Sequence, residues 1–152
     1  PWEPPHFYRP VLVAREVAAG DTIQAAGMAV RLFAQDHGKV RTLGLRIGRF
    51  AYSTDVVGLD EAAFAALEGV DTWVVGCFLR QGPHWTHADL PAVLGWVARV
   101  RPRRTVLTHM GTDMDWGWMT AHLPPGVEAG HDGMVRDITP GASTAANPAA
   151  AK

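Results

Sequence analysis

The sequence predicts an α/β domain with a mixed sheet, in which β-hairpins precede a β-α-β-α-β unit. Residues 22 to 55 contain short apolar runs separated by glycine-containing turns, a pattern typical of hairpins. After Asp55, apolar runs alternate with segments of helical periodicity, which is typical of parallel strands joined by helices. The run Phe50-Ala51-Tyr52 changes abruptly to Ser53-Thr54-Asp55, so Asp55 is expected at the C-terminal end of a strand.

The composition indicates one folded domain, which we predict over residues 1–138. The 152 residues are 47% hydrophobic and 19% charged, as in globular proteins. A formal net charge of −1 gives no electrostatic reason to expect nucleic acid or an anionic membrane as a partner. Cys77 is the one cysteine, which excludes an internal disulfide and suits a reducing compartment, so a cytoplasmic location is expected.

The two ends of the chain differ from its middle in composition. The opening Pro1-Trp2-Glu3-Pro4-Pro5 resembles the interior of a loop, so we expect the chain to be the C-terminal piece of a longer one. No signal peptide is visible, and the apolar run 70–79 is too short to span a bilayer. The tail 139–152 has nothing to bury and is expected to be disordered.

The N-terminal part is predicted to contain strands separated by Gly and Pro. The strand 11–17 follows Pro10 and is expected at a sheet edge. The remaining strands are the hairpin pair Thr22–Ala26 and Met28–Gln35, then Leu43–Ile47, and then the strand that ends at Asp55.

The second part of the chain is predicted to alternate between helix and strand. Asp60 is a suitable N-cap for a helix to Glu68, and Leu90, Val93, Leu94 and Val97 have the spacing of one helix face. The predicted elements are helix 60–68, strand 72–78, helix 89–101, strand 105–107, helix 115–123, and a hairpin of 127–130 with 134–138.

Polar side chains follow each of the three strands of the β-α-β-α-β unit. Right-handed crossovers make these strands parallel, so their C-terminal ends lie along one edge, where ligands bind in α/β sheets. Asp55 ends the first strand, His87 lies in the loop after the second, and His109 ends the third. His37 is expected at the same edge if the preceding hairpin strands pair so that the strand ending at Gln35 ends near Asp55.

A group of His and Asp side chains at such an edge suits Zn²⁺ or Mn²⁺. A cation held there lowers the pKa of its water to about 7, so hydroxide is available at neutral pH. Each residue also has a purely structural interpretation. Asp55 can be a turn former, His109 a buried core histidine, and His37 a surface turn residue beside Gly38. His87 can be a helix-start residue before Asp89.

Six short motifs, in order, resemble metallo-β-lactamase-fold hydrolases, and in particular the branch typified by phosphoribosyl 1,2-cyclic phosphate phosphodiesterase. The resemblance covers about residues 6 to 138. The motifs are His37-Gly38, Leu43-Gly44-Leu45-Arg46-Ile47-Gly48, Ala51-Tyr52-Ser53-Thr54-Asp55, His87-Ala88-Asp89-Leu90, Val106-Leu107-Thr108-His109 and His131-Asp132-Gly133-Met134.

The resemblance implies the C-terminal half of an αββα sandwich that holds two divalent metal ions, Zn²⁺ or Mn²⁺. It implies that His37 is a terminal ligand, that Asp55 bridges both ions, and that His109 is a ligand of the second ion. His87 matches a histidine that contacts the phosphate or protonates the leaving oxygen. The implied function is a phosphodiesterase acting on a small phosphate ester or cyclic phosphate by metal-bound hydroxide.

The sequence departs from the family at its principal ligand motif. His-x-His-x-Asp-His is absent, so three ligands remain for two ions. Two alternatives therefore stay open. The chain can be a catalytically silent half-domain that needs a partner, which is a second copy, another chain or a missing N-terminal segment. It can also be a hydrolase of the same fold that acts on a thioester or lactam. We also expect Asp113 or Asp115 to orient His109, and Cys77 to be inert.

Overall fold

The computed structural model describes residues 12–138, which form one seven-stranded sheet whose spatial order is the order of the chain. Each strand therefore lies beside the strand that precedes it in the sequence. The strands are β1 (Thr22–Ala25), β2 (Met28–His37), β3 (Val40–Ile47), β4 (Phe50–Ser53), β5 (Thr72–Gly76), β6 (Arg104–Thr108) and β7 (Val127–Ala129).

The sheet is mixed, as predicted. Strands β1 to β4 pair antiparallel through short connections, and β4 to β7 pair parallel. Strand β2 is longer than the sequence pattern indicated, because the β2–β3 ladder continues to the pair His37 and Val40. The C-terminal ends of β4, β5 and β6 therefore lie along one edge, and the β2–β3 turn reaches the same edge.

Three helices, α1 (Glu61–Leu67), α2 (Leu90–Val100) and α3 (Trp116–His122), connect the parallel strands. Each helix follows an aspartate whose carboxylate accepts a hydrogen bond from a backbone N–H three residues later, the N-cap arrangement that the sequence predicted for the first helix. The three caps are Asp60 to Ala63, Asp89 to Ala92 and Asp115 to Trp118. Within residues 12–138, none of these helices combines the length and the apolar character that crossing a bilayer requires.

The core lies between one face of the sheet and the helices. Trp73, Val75 and Leu107 are fully buried on that face. They belong to one apolar cluster with Leu67 of α1 and Val93 of α2. The indole N–H of Trp73 donates to Ser53 Oγ at 3.0 Å, so the one polar atom of this large side chain is satisfied inside the core.

Two predicted strands are wrong in the described residues. Residues 12–17 are not a strand, because Leu12 and Val13 are exposed and no neighbouring strand pairs with them there; Val11 lies outside the described part. Residues 134–138 do not form a hairpin with β7. Strand β7 instead pairs in parallel with β6, and the segment contacts it through the side chain of Arg136, which donates to both carboxylate oxygens of Glu128. The predicted tail also lies outside the described residues.

Candidate metal centre

Four side chains from separate parts of the chain meet at the edge where the parallel strands end. Asp55 follows β4, and His109 follows β6. His87 lies in the loop between β5 and α2, and His37 is the last residue of β2. The four residues that the sequence singled out are thus brought to one place by the strand topology.

The distances among these side chains are short enough for metal binding. His37, Asp55 and His87 each offer one ligand atom, and these atoms all lie within 4.8 Å of one another. His109 is adjacent, with its Nε2 atom 3.3 Å from Asp55 Oδ1. Asp55 is therefore close to His109 as well as to His37 and His87.

The backbone is unusual at both strand ends. Asp55 has φ of 50° and His109 has φ of 55°, in the left-handed region that residues with a Cβ seldom adopt. Gly76 lies between them at the end of β5. A Cβ added there would lie 3.5 Å from Thr54 Cα and 3.7 Å from His109 Cβ, so the adjacent strand ends pack close together.

The imidazole of His37 is held in one orientation. Its Nδ1 atom lies 2.8 Å from the carbonyl oxygen of Thr86, and because a carbonyl only accepts, Nδ1 carries the proton. In the neutral imidazole Nε2 is then the nitrogen that can serve as a ligand, an arrangement typical of metal-binding histidines. Gly38, at φ of 71°, allows this approach, because a Cβ there would lie 2.7 Å from the carbonyl oxygen of Trp85.

Two residues that the sequence analysis did not single out hold the turn that carries Asp55. Thr42 Oγ1 donates to the carbonyl of Asp55 at 2.8 Å. The buried amide of Gln35 donates to the carbonyl of Thr54 at 3.0 Å. Gln35 shares a strand face with the apolar Phe33, and a polar residue there could have been recognised as a buried hydrogen-bonding group. Its partner could not be inferred without the register of β2 on β3.

His87 is at the centre of a group of aromatic rings. Its ring centroid lies 4.9 Å from that of His37, 5.0 Å from that of His84, 4.7 Å from that of His109 and 4.8 Å from that of Phe78. Burial among these rings lowers the pKa of His87, and the neighbouring imidazoles lower it further. Its Nδ1 atom is buried and has no hydrogen-bond partner within the described residues.

The aspartates expected to orient His109 are engaged elsewhere. Asp113 accepts a hydrogen bond from the backbone N–H of Arg80 at 2.9 Å. Asp115 is the N-cap of α3 and accepts from Trp118 at 2.7 Å. The prediction that they orient His109 is therefore wrong, because Asp113 holds the distant backbone of Arg80 and Asp115 caps α3.

The donor set fits a divalent cation of the Zn²⁺ or Mn²⁺ type. Imidazole and carboxylate side chains grouped this closely are the donors that catalytic zinc sites use. Beside His109, a cavity of about 530 Å³ extends over the sheet face opposite the helices. Phe50, Val74 and Val106 form its apolar floor, and its volume suits a small molecule.

Comparison with known families gives a match over most of the chain. The model of the β-lactamase superfamily domain matches residues 2–110. A comparison with curated protein sequences gives no match.

Several solved structures have a similar fold. A diphosphatase from the PhnP family is 24% identical with a TM-score of 0.76, over 80% of this chain and 48% of that chain. The metallo-β-lactamase fold protein YhfI from Bacillus subtilis is 14% identical with a TM-score of 0.61, over 78% of this chain and 52% of that one. Zinc-bound PqqB from Methylobacterium extorquens is 17% identical with a TM-score of 0.63, over 80% of this chain and 55% of that one. The chain thus spans about half the length of these structures.

Proposed function

The chain belongs to the β-lactamase superfamily and has the metallo-β-lactamase fold, and from this premise we propose that it is part of a metal-dependent hydrolase acting on phosphodiesters. The observation that carries the proposal is the convergence of His37, Asp55, His87 and His109 at one sheet edge. Imidazole and carboxylate ligands at such an edge are the chemistry that metal-assisted hydrolysis needs.

In this proposal His37, Asp55 and His109 are the metal ligands. Asp55 has two oxygens and lies near both His37 and His109, so it could serve two cations, Zn²⁺ or Mn²⁺, at once. Bound there, the cations would supply Lewis-acid chemistry, lowering the pKa of water and offsetting the charge on the phosphoryl oxygens. The chain's own part is to hold these ligands in place through the contacts of Thr42, Gln35 and Thr86.

His87 is the group that we propose to contact the phosphate and assist the leaving oxygen. Burial keeps its ring neutral near pH 7, so that it presents one N–H donor. An anionic phosphate beside it would raise its pKa again, because opposite charge favours the protonated imidazole. The ring would then carry the proton that the leaving oxygen takes up.

The substrate that we propose is a small phosphate ester, with a cyclic phosphate included. The test is hydrolysis of bis(p-nitrophenyl) phosphate by the full-length protein that contains this chain, with Zn²⁺ or Mn²⁺ added. We expect turnover that His109→Ala lowers by at least about a hundredfold, since it loses a ligand. His122→Ala, an exposed histidine on α3, is the control. Full turnover by His109→Ala would end this proposal.

A second proposal is that the chain alone is catalytically silent and binds metal only with a partner. It is favoured by the small ligand set, because the described residues offer four candidate ligands for two ions. Metal content after dialysis distinguishes the two. About two equivalents per chain supports the hydrolase, and none supports the silent chain. A thioester and a lactam tested beside the phosphodiester would show whether the hydrolase instead takes one of those substrates.

A further inference from the structure

We propose that His84 is a positioning residue for His87, a role that rests on the function proposed above. His84 lies in the loop between β5 and α2, three residues before His87. In the structure its Nδ1 atom lies 3.2 Å from the backbone nitrogen of His87 and 3.4 Å from that of Thr86. Both nitrogens donate, so Nδ1 of His84 is the acceptor and is unprotonated.

These contacts close a turn on the segment 84–87. A side chain that accepts from the backbone N–H groups two and three residues later acts as an Asn or Ser does in an Asx or ST turn. The same segment supplies the carbonyl of Thr86 to Nδ1 of His37 at 2.8 Å. His84 therefore fixes the backbone that carries His87 and, through Thr86, the group that orients His37.

The ring of His84 also confines the ring of His87. The two rings are stacked, with centroids 5.0 Å apart and planes at 28°. Phe78 supports both, at 5.1 Å from His84 and 4.8 Å from His87. With His37 and His109 on its other sides, the His87 ring has little freedom to change rotamer. A fixed ring is what proton transfer to a bound substrate needs.

His84 is not itself placed to bind the cation. Its Nδ1 faces backbone donors, and it does not belong to the compact group of His37, Asp55 and His87. It acts on the site through His87 and Thr86, so its loss is expected to reduce turnover without abolishing metal binding.

Three variants separate the two contacts of His84. His84→Asn keeps an acceptor where Nδ1 was and loses most of the ring. His84→Phe keeps the ring that stacks on His87 and loses the acceptor. His84→Ala loses both. His122→Ala removes an exposed histidine of α3 and is the matched control.

The first measurement is hydrogen exchange of the His87 and Thr86 amides by NMR in the metal-free chain. We expect these amides to exchange roughly five- to tenfold faster in His84→Ala and His84→Phe, because a hydrogen bond is lost. His84→Asn is expected to restore slow exchange. Unchanged exchange in His84→Ala would overturn the proposal, and so would equal effects of His84→Ala and the control.

The second measurement is the steady-state kinetics of phosphodiester hydrolysis. We expect kcat to fall roughly tenfold to a hundredfold in His84→Ala with little change in KM, and to recover partly in both His84→Asn and His84→Phe. A change in KM alone would contradict positioning of His87. If the parent chain hydrolyses no phosphodiester, the proposed function fails, while the exchange measurement still decides whether His84 holds the His87 turn.

Discussion

The Nε2 atom of His109 lies 3.3 Å from Oδ1 of Asp55, and both residues have a left-handed backbone, at φ of 55° and 50°. Each residue is placed where a parallel strand ends and the chain turns away from the sheet. A residue with a Cβ costs on the order of 1 to 3 kcal/mol in such a conformation, and strain of this kind is concentrated at functional sites. The contact is therefore maintained at the expense of stability.

The strain at His109 predicts an unusual order of stability for two variants. His109→Gly and His109→Ala both remove the imidazole, but only glycine adopts a positive φ at no steric cost. We expect His109→Gly to be the more stable by about 1 kcal/mol in chemical denaturation. The same pair at His122, the last residue of the α3 helix, is the control and should show the reverse order, because alanine favours helical backbone over glycine. Equal stability of the two His109 variants would contradict the strain.

The assignment of metal ligands can be tested by removing one imidazole at a time. His109→Ala and His37→Ala are expected to weaken Co²⁺ or Zn²⁺ binding by more than about a hundredfold, whereas His87→Ala should change it only a few-fold. Titration with Co²⁺, followed by its visible absorption, measures the affinities without any substrate. If His87→Ala weakens binding as much as His37→Ala does, the compact group of His37, Asp55 and His87 is the ligand set instead.

Gly44 is predicted to be intolerant of any side chain. It is buried in β3, opposite Phe33 of β2, and a Cβ there would overlap the Phe33 ring and lie 2.7 Å from Gln35 Oε1. We expect Gly44→Ala to reduce the free energy of unfolding by about 1 to 3 kcal/mol. Gly95→Ala is the control, because Gly95 lies in α2 with open space around it and alanine favours helix. It should be more stable than the parent; destabilisation in both variants would refute the packing argument.

Cys77 is predicted to be unreactive in the folded chain. Burial raises the pKa of its thiol to about 12, with a smaller contribution from the carboxylates of Asp89 and Asp113. At pH 8 the fraction of Cys77 present as thiolate is then on the order of one part in ten thousand, and the thiolate is the reactive form. Alkylation with iodoacetamide should be at least about a hundredfold slower in native buffer than in guanidinium chloride. Rapid native labelling would show that the β5 end opens.

The ion pair of Glu128 and Arg136 predicts a small loss of stability in acid. The hydrogen bonds from Arg136 lower the pKa of Glu128 below its unfolded value of about 4.3. The contribution is therefore present above about pH 4.3 and is lost as the pH falls through the lower, folded pKa. Because both side chains are partly exposed, we expect Glu128→Gln to cost about 0.2 to 1 kcal/mol at pH 7 and less near pH 3.

Urea denaturation at the two pH values measures this difference. Glu16→Gln, at an exposed position before β1, is the control and should have no effect at either pH. A Glu128→Gln variant that is as destabilised at pH 3 as at pH 7 would show that the loss is not electrostatic.

Much of the fold was predictable because its elements have strong local signals. Asp60 caps the first helix, and a helix with the apolar spacing of Leu90 and Val93 does form at 90–100. The predictions failed where a strand needs a neighbour that the local pattern does not specify. Residues 12–17 are apolar but have no pairing partner in the described part, and residues 134–138 contact β7 by a side chain rather than a backbone ladder.

The sequence by itself determined which residue types stand at the strand ends, and strand order with right-handed crossovers was enough to predict that Asp55, His87 and His109 share one edge. Only the tertiary structure decided how they are held. The register of β2 on β3 places Gln35 and Thr42 under the Asp55 turn, and the loop 84–87 turns His84 onto His87. These contacts join residues far apart in the chain or depend on one rotamer, so no local periodicity encodes them.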